Sequence, residues 1–240
     1  MAEFISGSLA LHGRKVDTRP SCTVEVFDID RIAAHFQESL ALIQEQSSHI
    51  SSIASQNQIV ADDMLRAQVV FIESAFDYYL HEIIKLGIVE MYHGEWIVDK
   101  TEKYTNLSLT MSDVESALQE RDADHWLKNW ISAEYASRTL LSFSEFKNVC
   151  NLLGISMQKI SQVFYQRGSD IKPQDKLRTF IDDLYHHRNR IAHQADRRRD
   201  NAERQPIKKE MVADYLQTIQ RIVDAINAQI RKNLPASKNK

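Results

Sequence analysis

The feature that most constrains the fold is a long stretch of apolar residues spaced for one face of an α-helix. Its seven members follow one another at intervals of three or four residues: Leu65, Val69, Ile72, Phe76, Tyr79, Ile83 and Leu86. With about 3.6 residues per turn, this spacing places all of them on one side of a helix. The pattern therefore predicts a helix that buries one face along its whole length.

Three other segments show the same spacing. They run from Ile32 to Ala54, from Leu177 to Ala195, and from Val212 to Ile230. Pro173 suits the first turn of the second of these helices, because proline lacks the N–H that this turn leaves unbonded. With only 6 Gly and 4 Pro in 240 residues, few loops are expected. The sequence predicts an all-α helical bundle with two long C-terminal helices.

Weaker patterns predict shorter helices in the middle of the chain. Ser112 and Glu115 have the spacing of a capping box, in which side chains at the first turn bond the free backbone N–H groups. Ser142 and Glu145 repeat this spacing, and their helix is expected to end at Gly154.

The helical domain is expected to span residues 29–232, between an irregular N-terminal extension of residues 1–28 and a basic tail of residues 233–240. Within the extension, Thr23 to Phe27 alternate like a strand, and the segment is expected to be loosely held. Glu3 lies where an export signal would carry a basic residue. No apolar run approaches the roughly 20 residues that span a bilayer. Together with two widely separated cysteines, this predicts a cytoplasmic protein without disulfides.

The charge of the chain excludes some functions. A net charge of -3 argues against a protein that coats nucleic acid or anionic membrane through a broad basic surface. The glycine-rich phosphate loops and the HExxH and GxSxG motifs are absent from the sequence. Glu73 and Asp77, one helical turn apart, are either a solvated helix edge or a pair that binds a divalent ion or shares a proton.

One segment is nevertheless strongly basic. The sixteen residues YHHRNRIAHQADRRRD, from Tyr185 to Asp200, contain three histidines and five arginines, and residues 186–209 hold eight Lys/Arg against three Asp/Glu. The histidines lack the usual zinc spacing, and no acidic or cysteine ligand completes the set, so a metal site is disfavoured. The segment is either a solvated helix end or a local site for an anionic ligand.

Helix phase separates the polar residues of this segment. At about 100° per residue, Arg188 falls within the apolar stripe, whereas Asn189 and His193 share a different face. An arginine on an apolar stripe is costly unless it is paired or faces an interface. Arg188 is therefore expected either to pair with Asp77 or Glu73, or to line a cleft formed with a second subunit.

Arg188, Asn189 and His193 resemble the R-N-x-x-x-H signature of HEPN domains, all-α proteins that include many metal-independent endoribonucleases, toxins and antiviral effectors. The stretch RNRIAHQADRRRD followed by QPIKKEMVADYLQTIQRIVDAIN is similar to the C-terminal half of the RiboL-PSP group, in which RNxIxHxxD precedes a long helix. LRAQVVFIESAFDYYLHEIIKLGIVE likewise resembles an earlier helix of that group. The resemblance extends from about Ala61 to Ile230, with an unmatched middle.

The resemblance implies an RNA-cleaving site without metal or cofactor. His193 would be the general acid or base, Arg188 would bind the phosphate, and Asn189 would orient the phosphate or the histidine. The residues expected to support this site are Glu73, Asp77 and Arg190. The residues expected to contact RNA are His186, His187, Arg197, Arg198 and Arg199.

A regular helix does not aim Arg188 and His193 at the same atom. The resemblance therefore implies a homodimer in which two motifs face a shared cleft, and a kink near Ala192 is the alternative. It also implies a toxin or phage-defence effector, with an antitoxin or defence-system partner. The competing interpretation keeps the fold but gives it a non-catalytic role, as a nucleotide- or RNA-binding or regulatory module.

Overall fold

A computed structural model describes residues 24–97, 101–119 and 124–236. The regular structure of these residues is helical, which confirms the all-α bundle. The helices are α1 Ile29–Ala54, α2 Gln58–His93, α3 Glu102–Thr105, α4 Met111–Gln119, α5 His125–Tyr135, α6 Phe143–Leu152, α7 Met157–Ser161, the short 3-10 helix Gln162–Phe164, α8 Pro173–Gln194 and α9 Lys209–Asn233.

Helices α1 and α2 form a long hairpin. The turn between them ends at Asn57, whose side chain accepts a hydrogen bond from the N–H of Val60 at 3.2 Å and so caps α2. Every apolar residue of the α2 stripe is buried, as its spacing predicted. Helix α2 packs against α1, α5, α8 and α9, so it is the central helix around which the core is built.

The close packing of α2 depends on a glycine. A Cβ atom added at Gly87 would lie 2.3 Å from Cδ2 of Leu153, which is fully buried. The absence of a side chain at this position lets the residue that follows α6 approach the backbone of α2.

The predictions for the middle helices were partly correct. Ser142 caps α6 by accepting from the N–H of Glu145 at 3.3 Å, as expected. The expected capping box at Ser112 was wrong, because Thr110 and Asp113 form it instead, two residues earlier. The N–H of Thr110 donates to Asp113 Oδ2 at 2.8 Å, and the N–H of Asp113 donates to Thr110 Oγ1 at 3.2 Å.

Helices α8 and α9 are the two long C-terminal helices. Pro173 occupies the first turn of α8, as predicted. The apolar stripe of α8 ends earlier than expected, because the helix stops at Gln194 and Ala195 is an exposed cap residue in the left-handed conformation, with φ of 49°. Helix α8 is continuous through Ala192, where a kink was the alternative to a dimer.

The chain next to both ends of the bundle is packed against it. Residues 24–28 have no regular structure, but Val26 and Phe27 contact the core. Leu234, assigned to the basic tail, is buried after the end of α9. Residues 1–23 of the N-terminal extension, including Thr23 at the start of the expected strand, lie outside the described residues. None of the described helices combines the length and the apolar character needed to cross a bilayer.

Candidate functional site

The polar residues at the C-terminal end of α8 face an open groove of about 700 Å³. One side of the groove is helix α8, which contributes His186, Asn189 and His193. The other side is the loop of residues 195–208, called the basic loop below, which contributes its three consecutive arginines, Arg197, Arg198 and Arg199. His193 and these arginines are exposed. The groove therefore brings together two residues of the R-N-x-x-x-H motif and most of the cationic side chains expected around them.

Arg188 points to a different side of α8. Its Nε lies 2.6 Å from Oε2 of Glu73 on α2, and its Nη1 donates to Oδ1 of Asn189 at 3.0 Å. The Nε approaches the carboxylate out of line for a hydrogen bond, so the contact with Glu73 is a charge pairing. Of the two expectations for Arg188, the pairing with Glu73 is the one found within a single chain.

Glu73 is an unusual partner for an arginine, because only 1% of its side chain is exposed. Burial raises the pKa of Glu73 to about 7; the positive charge of Arg188 opposes this shift, and the negative charge of Asp77 adds to it. Neither carboxylate oxygen has a hydrogen-bond donor among the described residues. The charge on the Arg188–Glu73 pair therefore changes close to neutral pH.

The side chain of Asp77 binds the neighbouring loop rather than Arg188. Its Oδ1 accepts from the backbone N–H of Leu140 at 2.9 Å, and its Oδ2 lies 3.9 Å from Nε2 of His81. Asp77 affects the candidate site because its negative charge helps to raise the pKa of Glu73. Glu73 and Asp77, one turn apart, thus have separate structural roles.

A buried carboxylate holds the start of the basic loop. Asp196 is fully buried, and its Oδ2 accepts from Arg66 Nε at 3.1 Å. The Nη2 of Arg66 donates to the carbonyl oxygen of Gln205 at 2.6 Å, near the other end of the loop. Arg66, on α2, therefore binds both ends of the segment that carries the arginines of the groove.

The same carboxylate is next to two residues of α8. The Oδ2 of Asp196 lies 3.7 Å from Nε2 of His187, and its Oδ1 lies 3.8 Å from Nε of Arg190. Burial lowers the pKa of His187, although the charge of Asp196 acts in the opposite direction. His187 is 5% exposed, so it faces the interior while its neighbour His186 faces the groove. Arg190 connects the two regions, because it also lines the groove.

Sequence reasoning did not identify Arg66 or Asp196 as site residues. A signal existed for each. Arg66 is a charged residue directly after Leu65, the first member of an apolar stripe, and Asp196 is the final residue of the RNxIxHxxD pattern. The burial of His187 also had a signal, since it lies three residues after Leu184 and four before Ile191.

An all-α bundle with an R-N-x-x-x-H motif on a long helix beside a basic groove defines a domain of the HEPN class. The model of the RiboL-PSP-HEPN family matches residues 34–232, and the chain belongs to this family. Family membership suggests a ribonuclease or a nucleotide-binding module. Comparison with curated proteins and comparison with solved structures each give no match.

Proposed function

We propose that this protein is a metal-independent endoribonuclease of the HEPN type. The observation that carries the proposal is the groove in which the exposed His193 and Asn189 face three consecutive arginines. A phosphodiester drawn to these cations lies beside the imidazole of His193, a side chain able to act as a general acid or base. The helical domain of residues 29–232 is the proposed catalytic unit.

The proposed reaction needs only proton transfer and charge stabilisation. The 2'-hydroxyl of the RNA attacks the adjacent phosphorus, a base removes its proton, the bond to the 5'-oxygen breaks, and an acid protonates that oxygen. The products are a 2',3'-cyclic phosphate and a 5'-hydroxyl end. His193 takes one of the two proton-transfer roles, and the requirement for a 2'-hydroxyl restricts the substrate to RNA.

Arg188 would stabilise the negative charge that grows on the phosphate oxygens. Glu73 engages its Nε and Asn189 engages its Nη1, so the guanidinium is held from two sides and offers its Nη2 edge to a ligand. Lysine would substitute poorly here, because it lacks the planar fork that makes these contacts together.

The proposal includes a homodimer. Arg188 is not among the residues that line the groove of its own chain, where Asn189 and His193 are found. A second copy that brings its Arg188 to this groove completes the set without a kink in α8. A cytoplasmic toxin or phage-defence effector, held inactive by an antitoxin or another partner of the same system, is the setting that we propose.

The test is RNA cleavage by the purified chain in the presence of EDTA, with the product ends identified. We expect 2',3'-cyclic phosphate ends, and we expect His193→Ala to lose cleavage by at least about 100-fold while its circular dichroism is unchanged. The matched control is His49→Ala, which removes an exposed histidine of α1 that does not line the groove. Cleavage that persists in His193→Ala, or that EDTA abolishes, contradicts the proposal.

A second candidate is a non-catalytic nucleotide- or RNA-binding module, and the pairing of Arg188 with Glu73 favours it. In this case the arginine is a structural residue of one chain and only the groove binds the ligand. The module would bind RNA with similar affinity in wild type and Arg188→Ala, and neither form would cleave it.

A further inference from the structure

The basic loop leaves α8 through a strained turn. Ala195 and Asp196 both have positive φ, 49° and 57°, although neither is glycine. Such conformations persist only where surrounding contacts hold them. Backbone hydrogen bonds help to hold this turn. The N–H of Asp196 donates to the carbonyl oxygen of Arg190 at 3.0 Å, and the carbonyl oxygen of Asp196 accepts from the N–H of Gln205 at 2.9 Å.

Beyond the turn, the loop folds back on itself. An isolated antiparallel bridge joins Arg197 and Arg204, and the N–H of Arg198 donates to Glu203 O at 2.9 Å. The side chain of Arg197 donates to Ala202 O at 2.7 Å. These bonds hold the backbone at Arg197 and Arg198, but all of them lie at the surface, where water competes for the same groups.

Ile207 gives the basic loop a buried apolar contact near its other end, and among the polar side chains of residues 195–208 the most buried is the Asp196 carboxylate. It is fully buried, and Arg66, whose guanidinium binds it, is 5% exposed. Because Arg66 also binds Gln205 O, removal of the Asp196 charge releases one of the two ends that this arginine holds together. The same charge lies beside Arg190, which lines the groove from α8.

We propose that Asp196 is a positioning residue for RNA binding: it fixes the basic loop and Arg190 so that the arginines face His193 across the groove. This inference rests on the proposed RNA function of the groove. It gives a negatively charged residue a favourable effect on the binding of a polyanion, which is the reverse of its direct electrostatic effect.

This difference in sign provides the test. Asp196→Asn makes the site more positive, so electrostatics alone predicts tighter binding of RNA. Positioning predicts weaker binding, by about tenfold, and a smaller salt dependence, because fewer arginines reach phosphates at the same time. The probe is a short single-stranded 2'-O-methyl RNA, which lacks the attacking hydroxyl and so reports binding alone.

Two further variants control for charge and for folding. Asp183→Asn removes an exposed carboxylate of α8 that does not line the groove, and its affinity for RNA should be unchanged or slightly higher. Arg66→Lys keeps the charge but loses the fork that binds both Asp196 and Gln205, and it should weaken RNA binding as Asp196→Asn does. It also tests the proposal if Asp196→Asn does not fold.

Hydrogen exchange without RNA supplies the second measurement. In Asp196→Asn and Arg66→Lys, the amides of Arg198 and Gln205 should exchange at least about tenfold faster than in wild type, with the α9 amides unchanged. Equal or tighter RNA binding with unchanged exchange overturns the role of Asp196 and leaves the proposed function intact. Wild-type protein that neither binds nor cleaves RNA overturns both.

Discussion

The replacement of Glu73 by glutamine should change how the stability of the protein depends on pH. Glu73 is buried against Arg188, and its pKa is raised from 4.5 to about 7. Between these two values the folded chain binds more protons at this residue than the unfolded chain does. The folded state therefore loses stability as the pH rises through this window, and the loss is complete above the folded pKa.

The size of the effect follows from the two pKa values. Integrated from pH 5 to pH 8, the difference lowers the free energy of unfolding of the wild type by about 2.5 kcal/mol. Glutamine has nearly the same shape and does not ionise, so this decline should be absent in Glu73→Gln. Arg188 tolerates the loss of its partner because 29% of its side chain is exposed to water.

The assay is urea unfolding at several pH values between 5 and 8, with the free energy taken from the midpoint and slope. The difference between Glu73→Gln and wild type should grow by about 2.5 kcal/mol in favour of the variant across this range. Glu38→Gln, at an exposed position of α1, controls for the loss of a negative charge. Curves for Glu73→Gln and wild type that stay parallel within about 0.5 kcal/mol would refute the reasoning, because they would mean that Arg188 keeps Glu73 ionised throughout.

Two other predictions concern α8. Ala195→Gly should stabilise the protein by about 0.5–1 kcal/mol in urea unfolding, because glycine adopts the left-handed conformation of this residue more readily than alanine does. Ala192→Gly, at an exposed position inside α8, should destabilise the protein by about 1 kcal/mol. For the proposed dimer, a refolded equal mixture of Arg188→Ala and His193→Ala chains should regain about a quarter of wild-type RNA cleavage, because half of the dimers are mixed and each has one intact composite site. No recovery, with mixed dimers detected by native mass spectrometry, would place Arg188 and His193 in the same chain.

The long helices were predictable because each repeats one pattern over five turns or more. Helix α2 could be identified from its apolar stripe alone, and the pairing of Arg188 with Glu73 was one of two outcomes derived from helix phase. The apolar stripe of α2 and the place of Arg188 on the stripe of α8 depend on residues close together in sequence, where periodicity contains the information, whereas Glu73 lies far from Arg188 in the chain.

The anchoring of the basic loop was not predictable in the same way. Arg66 and Asp196 are 130 residues apart, and nothing near either one indicates the other. The end of α8 at Gln194 was not predictable either, since alanine has no preference for the left-handed conformation that Ala195 adopts there. The capping box at Thr110 was missed for a local reason, because Ser112 and Glu115 offer the same spacing two residues later.

Arg66 binds the basic loop at Asp196 and at Gln205, near its two ends. A change at the tip of the loop, between these two contacts, therefore need not move the helices of the bundle. Asp200 and Asn201 lie at this tip, exposed to solvent, and no core residue depends on them. Residues can therefore be exchanged or inserted there without disturbing the helices. Since Asp200 also lines the groove, the proposed RNA function implies that changes in this short stretch alter which RNA is bound, while the contacts of Arg66 hold the rest of the loop in place.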